Sequence, residues 1–415
     1  MRPSESLRFL SSSVYICRAG WHPKPHMTTD ATARRLPLHQ GRRAGIAMLV
    51  AIALGMAAAN SPLSGLYGFI HHFPLRLGIA PIVIDAPLID WINQGLLVVF
   101  FFHIGLHTKQ EMTTGVLAAR GRAILPAVAA FGGMVVPAVI FLAFNAGEPD
   151  AMRGWAIPIA TDVVLVLGLM SFLGAAVSPG LLAFVTAVAI FDDLGAVLVI
   201  ALFYGEAELG WSLALVAIAL VGLGILNRRG SKTGAFYLLL GTLLWIGLVV
   251  SGLEGAVAGA ITGLALPLSA FKQRTVERVE YRIAPLALFV VVPIFAFFNA
   301  GVPLAFASES WLTDTVVLGV VLGLVIGKPL GVALGTGLAL WAGLGTLPSK
   351  TSLLDTLCAA FFAGIGFTMS LFIVTAALDD PLRADPAKVA VILGSSVSAV
   401  LASFALLALR RRRLP

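Results

Sequence analysis

The sequence predicts an all-α polytopic membrane protein with about twelve transmembrane helices. Three observations carry this prediction. Of 415 residues, 59% are hydrophobic and only 12% are charged, too few charged groups to cover a soluble protein of this length. Apolar stretches of roughly 20 residues recur along the chain, the length that spans about 30 Å of hydrocarbon. These stretches are continuous and do not alternate at every second residue, which excludes a transmembrane β-barrel.

Taken in order, the apolar stretches place spans near residues 44–60, 91–106, 123–144, 155–173, 179–203, 209–226, 233–250, 252–268, 285–304, 314–341, 353–377 and 388–409. The tenth is long for one crossing and is expected to be tilted or kinked. An even number of spans puts both termini on one side. If that side is the cytoplasm, 23 Lys/Arg fall inside and four fall outside, namely Arg76, Arg153, Arg383 and Lys388. The positive-inside rule then fixes the orientation. The same distribution argues against nucleic-acid binding, which the net charge of +7 would otherwise suggest, because the basic residues lie between apolar segments and form no single patch. Cys17 and Cys358 are too far apart in sequence to suggest a disulfide framework or a metal site.

Residues 1–43 are polar, Arg-rich and without the apolar core of a signal peptide. They are expected to be a cytoplasmic segment, disordered or in part an over-extended start, with Met27 the alternative first residue. Residues 44–410 form the transmembrane domain and 411–415 a basic cytoplasmic tail. The connection HHFPLRLGIAPIVIDAP, 71–87, alternates weakly and contains Gly78 and Pro81, the pattern of a short external hairpin.

Five charged residues stand where few are tolerated: Asp162, Asp192, Asp193, Lys328 and, at a span edge, Glu254. A charge at the bilayer centre costs at least about 2.5–3.5 kcal/mol on insertion scales. In AVAIFDDLGAVLVIALF, Asp192 and Asp193 are the middle residues of an apolar run from Leu181 to Phe203. A structural salt bridge would explain one aspartate and one lysine but would leave the other carboxylates unpaired. Neighbouring helical residues project about 100° apart. One aspartate can therefore face Lys328 while the other faces a cavity, where it suits a proton or a hard cation such as Na⁺ or Li⁺. Lys328, in GLVIGKPLG, has about a dozen apolar residues on either side, too many for it to reach the surface. Pro329 after it frees a carbonyl one turn earlier.

Two spans carry candidate breaks. Pro158 removes a backbone donor just before Ala160-Thr161-Asp162, and Gly364 and Gly366 flank Ile365 in AGIGFTMS. Non-helical backbone at membrane depth is tolerated only where protein or a water-filled cavity satisfies it. Half-helix N-termini carry partial positive charge and C-termini partial negative charge, and Asp162 and Lys328 have the signs to compensate them.

The stretches GWAIPIATD, AIFDDLGA, LFYGE, PIFAFFNAG, GLVIGKPLG and GIGFTMS together make the chain, from about residue 44 onward, similar to NhaA-type sodium/proton antiporters. The resemblance implies inverted repeats with discontinuous helices 4 and 11 crossing near the midplane. It implies Asp193 as principal cation ligand, Asp192 paired with Lys328, and Thr161 and Asp162 at the crossing as further ion-binding positions. It also implies exchange of one Na⁺ or Li⁺ for two protons across a bacterial inner membrane, without a cofactor, and a homodimer formed through residues 71–87.

The sequence departs from the family pattern at Gln94, His107, Gln110 and Glu254, where the family usually has aspartate, glutamate, arginine and histidine. With Glu111 and Glu280, His107 and Glu254 are the positions expected to set the pH response. His103 is expected to be a satisfied helix-contact residue. Other classes remain possible: a degenerate relative that senses or scaffolds, and a cation channel, which would need a continuous lined pore. An intramembrane aspartyl protease fits poorly, since it needs its two aspartates on separate helices.

Overall fold

The computed structural model describes residues 38–79, 82–113, 115–118, 120–205, 210–268, 273–304, 313–348, 351–378 and 380–411. Residues 1–37 with Met27, Lys350, Glu206 and the last four residues of the chain, where parts of the sequence reading fall, lie outside that set.

Among the described residues, nine helices are long and apolar enough to cross a membrane, and a bent pair makes a tenth span. Two shorter apolar helices, Gly234–Val250 and Val257–Ala265, occupy the places of the seventh and eighth expected spans. The elements used below are α1 (Leu38–Ala59), α2 (Ser64–His71), β1 (Pro74–Ile79), β2 (Ile82–Pro87), α3 (Leu88–Thr113), α4 (Arg120–Asn145), α5 (Val163–Leu173), α6 (Pro179–Phe203), α7 (Arg278–Ala300), α8 (Thr315–Trp341), α9 (Leu353–Ala363), α10 (Phe367–Ala377) and α11 (Pro381–Arg411). The 71–87 connection folds into the expected hairpin, β1 antiparallel to β2 with Leu75 opposite Ala86.

Helix ends differ from the sequence reading. Residues 38–43, assigned to the N-terminal segment, are the first turns of α1. The cause is packing against α5. A Cβ on Gly45 would lie 3.2 Å from the Gly168 Cα, so the two backbones approach closely along this stretch. The eighth helix is shorter than the expected 252–268, and α11 starts earlier, at Pro381, and includes Arg411 of the expected tail.

The long tenth span is not a uniform helix. A wide π-helical turn, Gly323–Gly327, precedes Lys328, and another, Ala287–Val291, lies in α7. Each ends two residues before a proline, Pro329 or Pro293. Proline has no N–H for the carbonyl four residues back and its ring presses on that carbonyl, so widening the turn relieves both.

Glycine sets how closely α8 meets α4. A Cβ on Gly331 would lie 2.1 Å from the Gly132 carbonyl oxygen, and one on Gly132 would lie 2.3 Å from that of Gly331. Small residues allow this contact in a membrane, where packing replaces the hydrophobic drive. Gly331→Ala should therefore separate the two helices and cost on the order of 1–3 kcal/mol. Gly337→Ala, on the same helix with open space around it, should be neutral. Apparent melting temperatures of the two variants in detergent decide this, and equal values would refute it.

Candidate functional site

The fourth and eleventh spans both lose helical form at the same place. A 3₁₀ stretch, Arg153–Ile159, contains Pro158 and runs into extended backbone at Ala160 before α5 begins at Val163. The eleventh span divides into α9 and α10 with a bend of 44° at 364–366. The two irregular segments touch backbone to backbone, with the Asp162 N–H donating to the Ile365 carbonyl at 2.6 Å. Glycine is needed here for space. A Cβ on Gly364 would lie 2.4 Å from the Leu324 carbonyl, and one on Gly366 would lie 3.0 Å from that of Ala160.

Side chains from several elements complete the crossing. Asp162 caps α5, its Oδ1 accepting from the Leu165 N–H at 3.0 Å. Its Oδ2 accepts from the Thr368 N–H at 2.9 Å and the Thr368 hydroxyl at 2.5 Å, at the start of α10. One carboxylate thus serves two helix N-termini, each a partial positive charge. Ser395 of α11 adds a cap in trans, its Oγ accepting from the Phe367 N–H at 3.2 Å. The opposite ends have donors: the Ser370 hydroxyl donates to the Ile157 carbonyl at 2.7 Å, and the Thr161 hydroxyl lies 2.8 Å from the Ala363 carbonyl.

Thr161 joins this crossing to the charged pair. Its hydroxyl is 2.6 Å from Asp192 Oδ2 and accepts from the Lys328 ammonium at 3.0 Å. A hydroxyl has one proton, so it donates either to Asp192 or to the Ala363 carbonyl. Lys328 also donates to Asp192 Oδ2 directly, and both side chains are fully buried.

Asp193 is placed differently. It is 3% exposed, and its Oδ1 has no hydrogen-bond partner among the described residues, as is also true of Asp192 Oδ1. A buried carboxylate oxygen without a donor is costly. A proton or a hard cation would satisfy it. Both carboxylate oxygens of Asp162, by contrast, are engaged at the helix ends. In this conformation Asp162 compensates helix termini through both of its oxygens. Among the described residues, no group of three or more His, Cys, Asp or Glu side chains is placed to hold a metal. A cation at this site would depend on two carboxylates with hydroxyl and carbonyl oxygens.

The other candidates fall into two separate groups. His107 Nδ1 is 3.2 Å from Glu280 Oε1, and Glu111 acts on the same ring electrostatically. His103 stacks on His107 with ring centroids 6.2 Å apart. It is buried, but its Nδ1 lacks a partner, so it is not the satisfied residue expected. Glu254 lies near Asp90, at the opposite end of α3 from His107. The Gln94 carbonyl accepts from Trp245 Nε1 at 2.8 Å. On α2, burial pushes the His71 ring down to about 4, with His72 and Lys388 adding to the effect. His71 is therefore neutral near neutral pH and cannot respond to pH there.

Thr368, Ser370 and Ser395 were not singled out from sequence, nor was the buried pair Asn93–Asn299, in which the Asn299 amide donates to Asn93 Oδ1 at 2.9 Å. A hydroxyl just after a Gly-rich break was the available signal for Thr368 and Ser370. No local signal marks Ser395, which acts from another helix. Ser395→Ala leaves the Phe367 N–H uncapped and should cost about 1 kcal/mol, read as a lower melting temperature. Ser395→Thr should keep most of the stability, and an unchanged Ser395→Ala protein would remove the capping role.

Comparison with known proteins bears on this crossing. The family model described as Na+/H+ antiporter 1 matches residues 36–406. A Na(+)/H(+) antiporter NhaA of Yersinia pestis is 40% identical over 366 residues, covering 88% of this chain and 93% of its own length. A Na(+)/H(+) antiporter NhaA of Yersinia enterocolitica has the same identity and coverage. Among solved structures, the sodium proton antiporter MjNhaP1 of Methanocaldococcus jannaschii shares the fold, with a TM-score of 0.50 at 18% identity, over 89% of this chain and all of that one.

Proposed function

The chain belongs to the Na+/H+ antiporter 1 family, and from that premise we propose how it exchanges the two ions: Na⁺ and protons compete for the carboxylates of Asp192 and Asp193. Membership makes it a secondary transporter and not an enzyme, and its transported ions are substrates. The observation that carries the competition is Asp193 itself, buried with a carboxylate oxygen that no donor reaches among the described residues. Protonated, the pair cannot hold Na⁺. Deprotonated, it can.

Two adjacent carboxylates in a dry site share their protons as a pair. Lys328 balances Asp192 while the site is empty of cation. When Na⁺ draws Asp192 away, the ammonium loses its partner and can release a proton. Thr161 follows the same change, because its single hydroxyl proton turns to the Ala363 carbonyl once Asp192 is occupied. Access alternates when one group of helices moves against the other around this site, as in transporters built on broken helices. Two protons for each Na⁺ make the exchange electrogenic. Li⁺ has the hardness to replace Na⁺, and the physiological outcome is pH and sodium homeostasis.

Orientation follows the Lys/Arg distribution, with both termini cytoplasmic in a bacterial inner membrane. The β1–β2 hairpin is the surface proposed for homodimer contact. Broken helices around a buried lysine favour a carrier over a channel or a silent relative. Everted membrane vesicles carrying a ΔpH dye test this. NaCl or LiCl should dissipate the gradient and KCl should not. A conductance without proton movement would mean a channel, and no response with the protein present would mean lost transport.

A further inference from the structure

Two arginines from distant helices meet the end of α5. The Arg42 guanidinium of α1 lies over the Phe172 ring, 4.8 Å from its centroid. Arg410 of α11 donates through Nε to the Ala176 carbonyl at 3.0 Å. Phe172 is in the last turn of α5, and Ala176 ends the short turn Gly174–Ala176 that follows it. Arg43 and Arg411 stand next to these residues in sequence, and all four arginines are exposed. No Asp or Glu occurs in residues 38–59, 163–178 or 389–411. Among the described residues, none of the four arginines forms an ion pair.

We propose that this end of α5 binds the phosphate headgroup of an anionic phospholipid, with its acyl chains running down the neighbouring helix faces. Guanidinium groups match phosphate oxygens in geometry and charge. The stacking and the backbone hydrogen bond hold two of them in place, which lowers the entropy lost on binding. Each basic side chain near an anionic membrane surface adds on the order of 1 kcal/mol of attraction. The apolar surroundings point to a lipid and not to free phosphate. Phe172 is half exposed beside the guanidinium, and Leu49 on α1 and Phe404 and Leu407 on α11 are exposed one or two turns toward the middle of the membrane. A bound lipid would brace the end of α5 opposite Asp162. The site is read from charge and packing and does not depend on the transport mechanism.

The test uses the full-length protein in detergent, with phosphatidylglycerol, phosphatidylcholine or inorganic phosphate added. Phosphatidylglycerol should raise the apparent melting temperature of the wild type, and native mass spectrometry should show it retained. In the double variant R42Q/R410Q that rise should fall by at least half and one fewer lipid should be retained. R76Q, on the β1–β2 hairpin, should behave as wild type. Should the glutamine variant misfold, R42K/R410K keeps the charge and should retain most of the rise. Equal lipid effects in wild type and the double variant would overturn the proposal. So would a matching stabilisation by inorganic phosphate alone, which would show a phosphate site without lipid.

Discussion

Asp193→Asn is expected to abolish Na⁺-dependent proton movement in everted vesicles while leaving the protein in the membrane and folded. Asparagine has almost the shape of aspartate, so the packing of α6 is preserved. The negative charge that attracts Na⁺ is lost, and so is the group that a proton and Na⁺ both need. The Asp192–Lys328 pair, which depends on contacts to Thr161 and not to Asp193, remains. Residual exchange in this variant would move the cation site elsewhere. Asp193→Glu keeps the charge but lengthens a buried side chain, and should retain exchange at reduced rate.

Lys328→Ala should produce the largest loss of stability. Lys328 and Asp192 are both fully buried. Two charges removed from water cost more in desolvation than surface pairs do, and removing one partner leaves the other uncompensated. The expected penalty is about 3–5 kcal/mol, which should lower the apparent melting temperature in detergent by many degrees. Neutralising both residues, as in Lys328→Met with Asp192→Asn, should recover much of it, since neither member of the pair then leaves the other as an uncompensated charge. A Lys328→Ala protein that melts like wild type would show that the ammonium does not balance Asp192. Transport should be lost in either case, so melting temperature is the reading that separates structure from exchange.

The charged centre was legible because charge in an apolar run is an unmistakable signal. Asp192 and Lys328 stand out from sequence and are in direct contact in the structure. The two breaks were legible for the same kind of reason, through Pro158 and through Gly364 and Gly366. What could not be read depends on contacts between distant segments. Ser395 caps α10 from another helix, and Asn93 pairs with Asn299 across 206 positions. The second role of Asp162, serving the N-terminus of α10, likewise becomes visible only when the fourth and eleventh spans meet. The wide turns were half legible. Pro329 announced a freed carbonyl, but the π-helical geometry that absorbs it is a choice made by the packed helix. Helix ends were misread at α1 and α11, where interhelical contacts, not hydropathy, decide how far a helix extends.

Competition between Na⁺ and protons for one carboxylate pair makes a quantitative demand on kinetics. The decisive measurement is the apparent KM for Na⁺ in proteoliposomes as a function of pH. Competition predicts that on the acid side each unit of pH gained lowers KM by about tenfold per competing proton, with the maximal rate at saturating Na⁺ unchanged. A KM that stays constant while the maximal rate falls with acid would contradict a shared site and would place proton control elsewhere in the molecule.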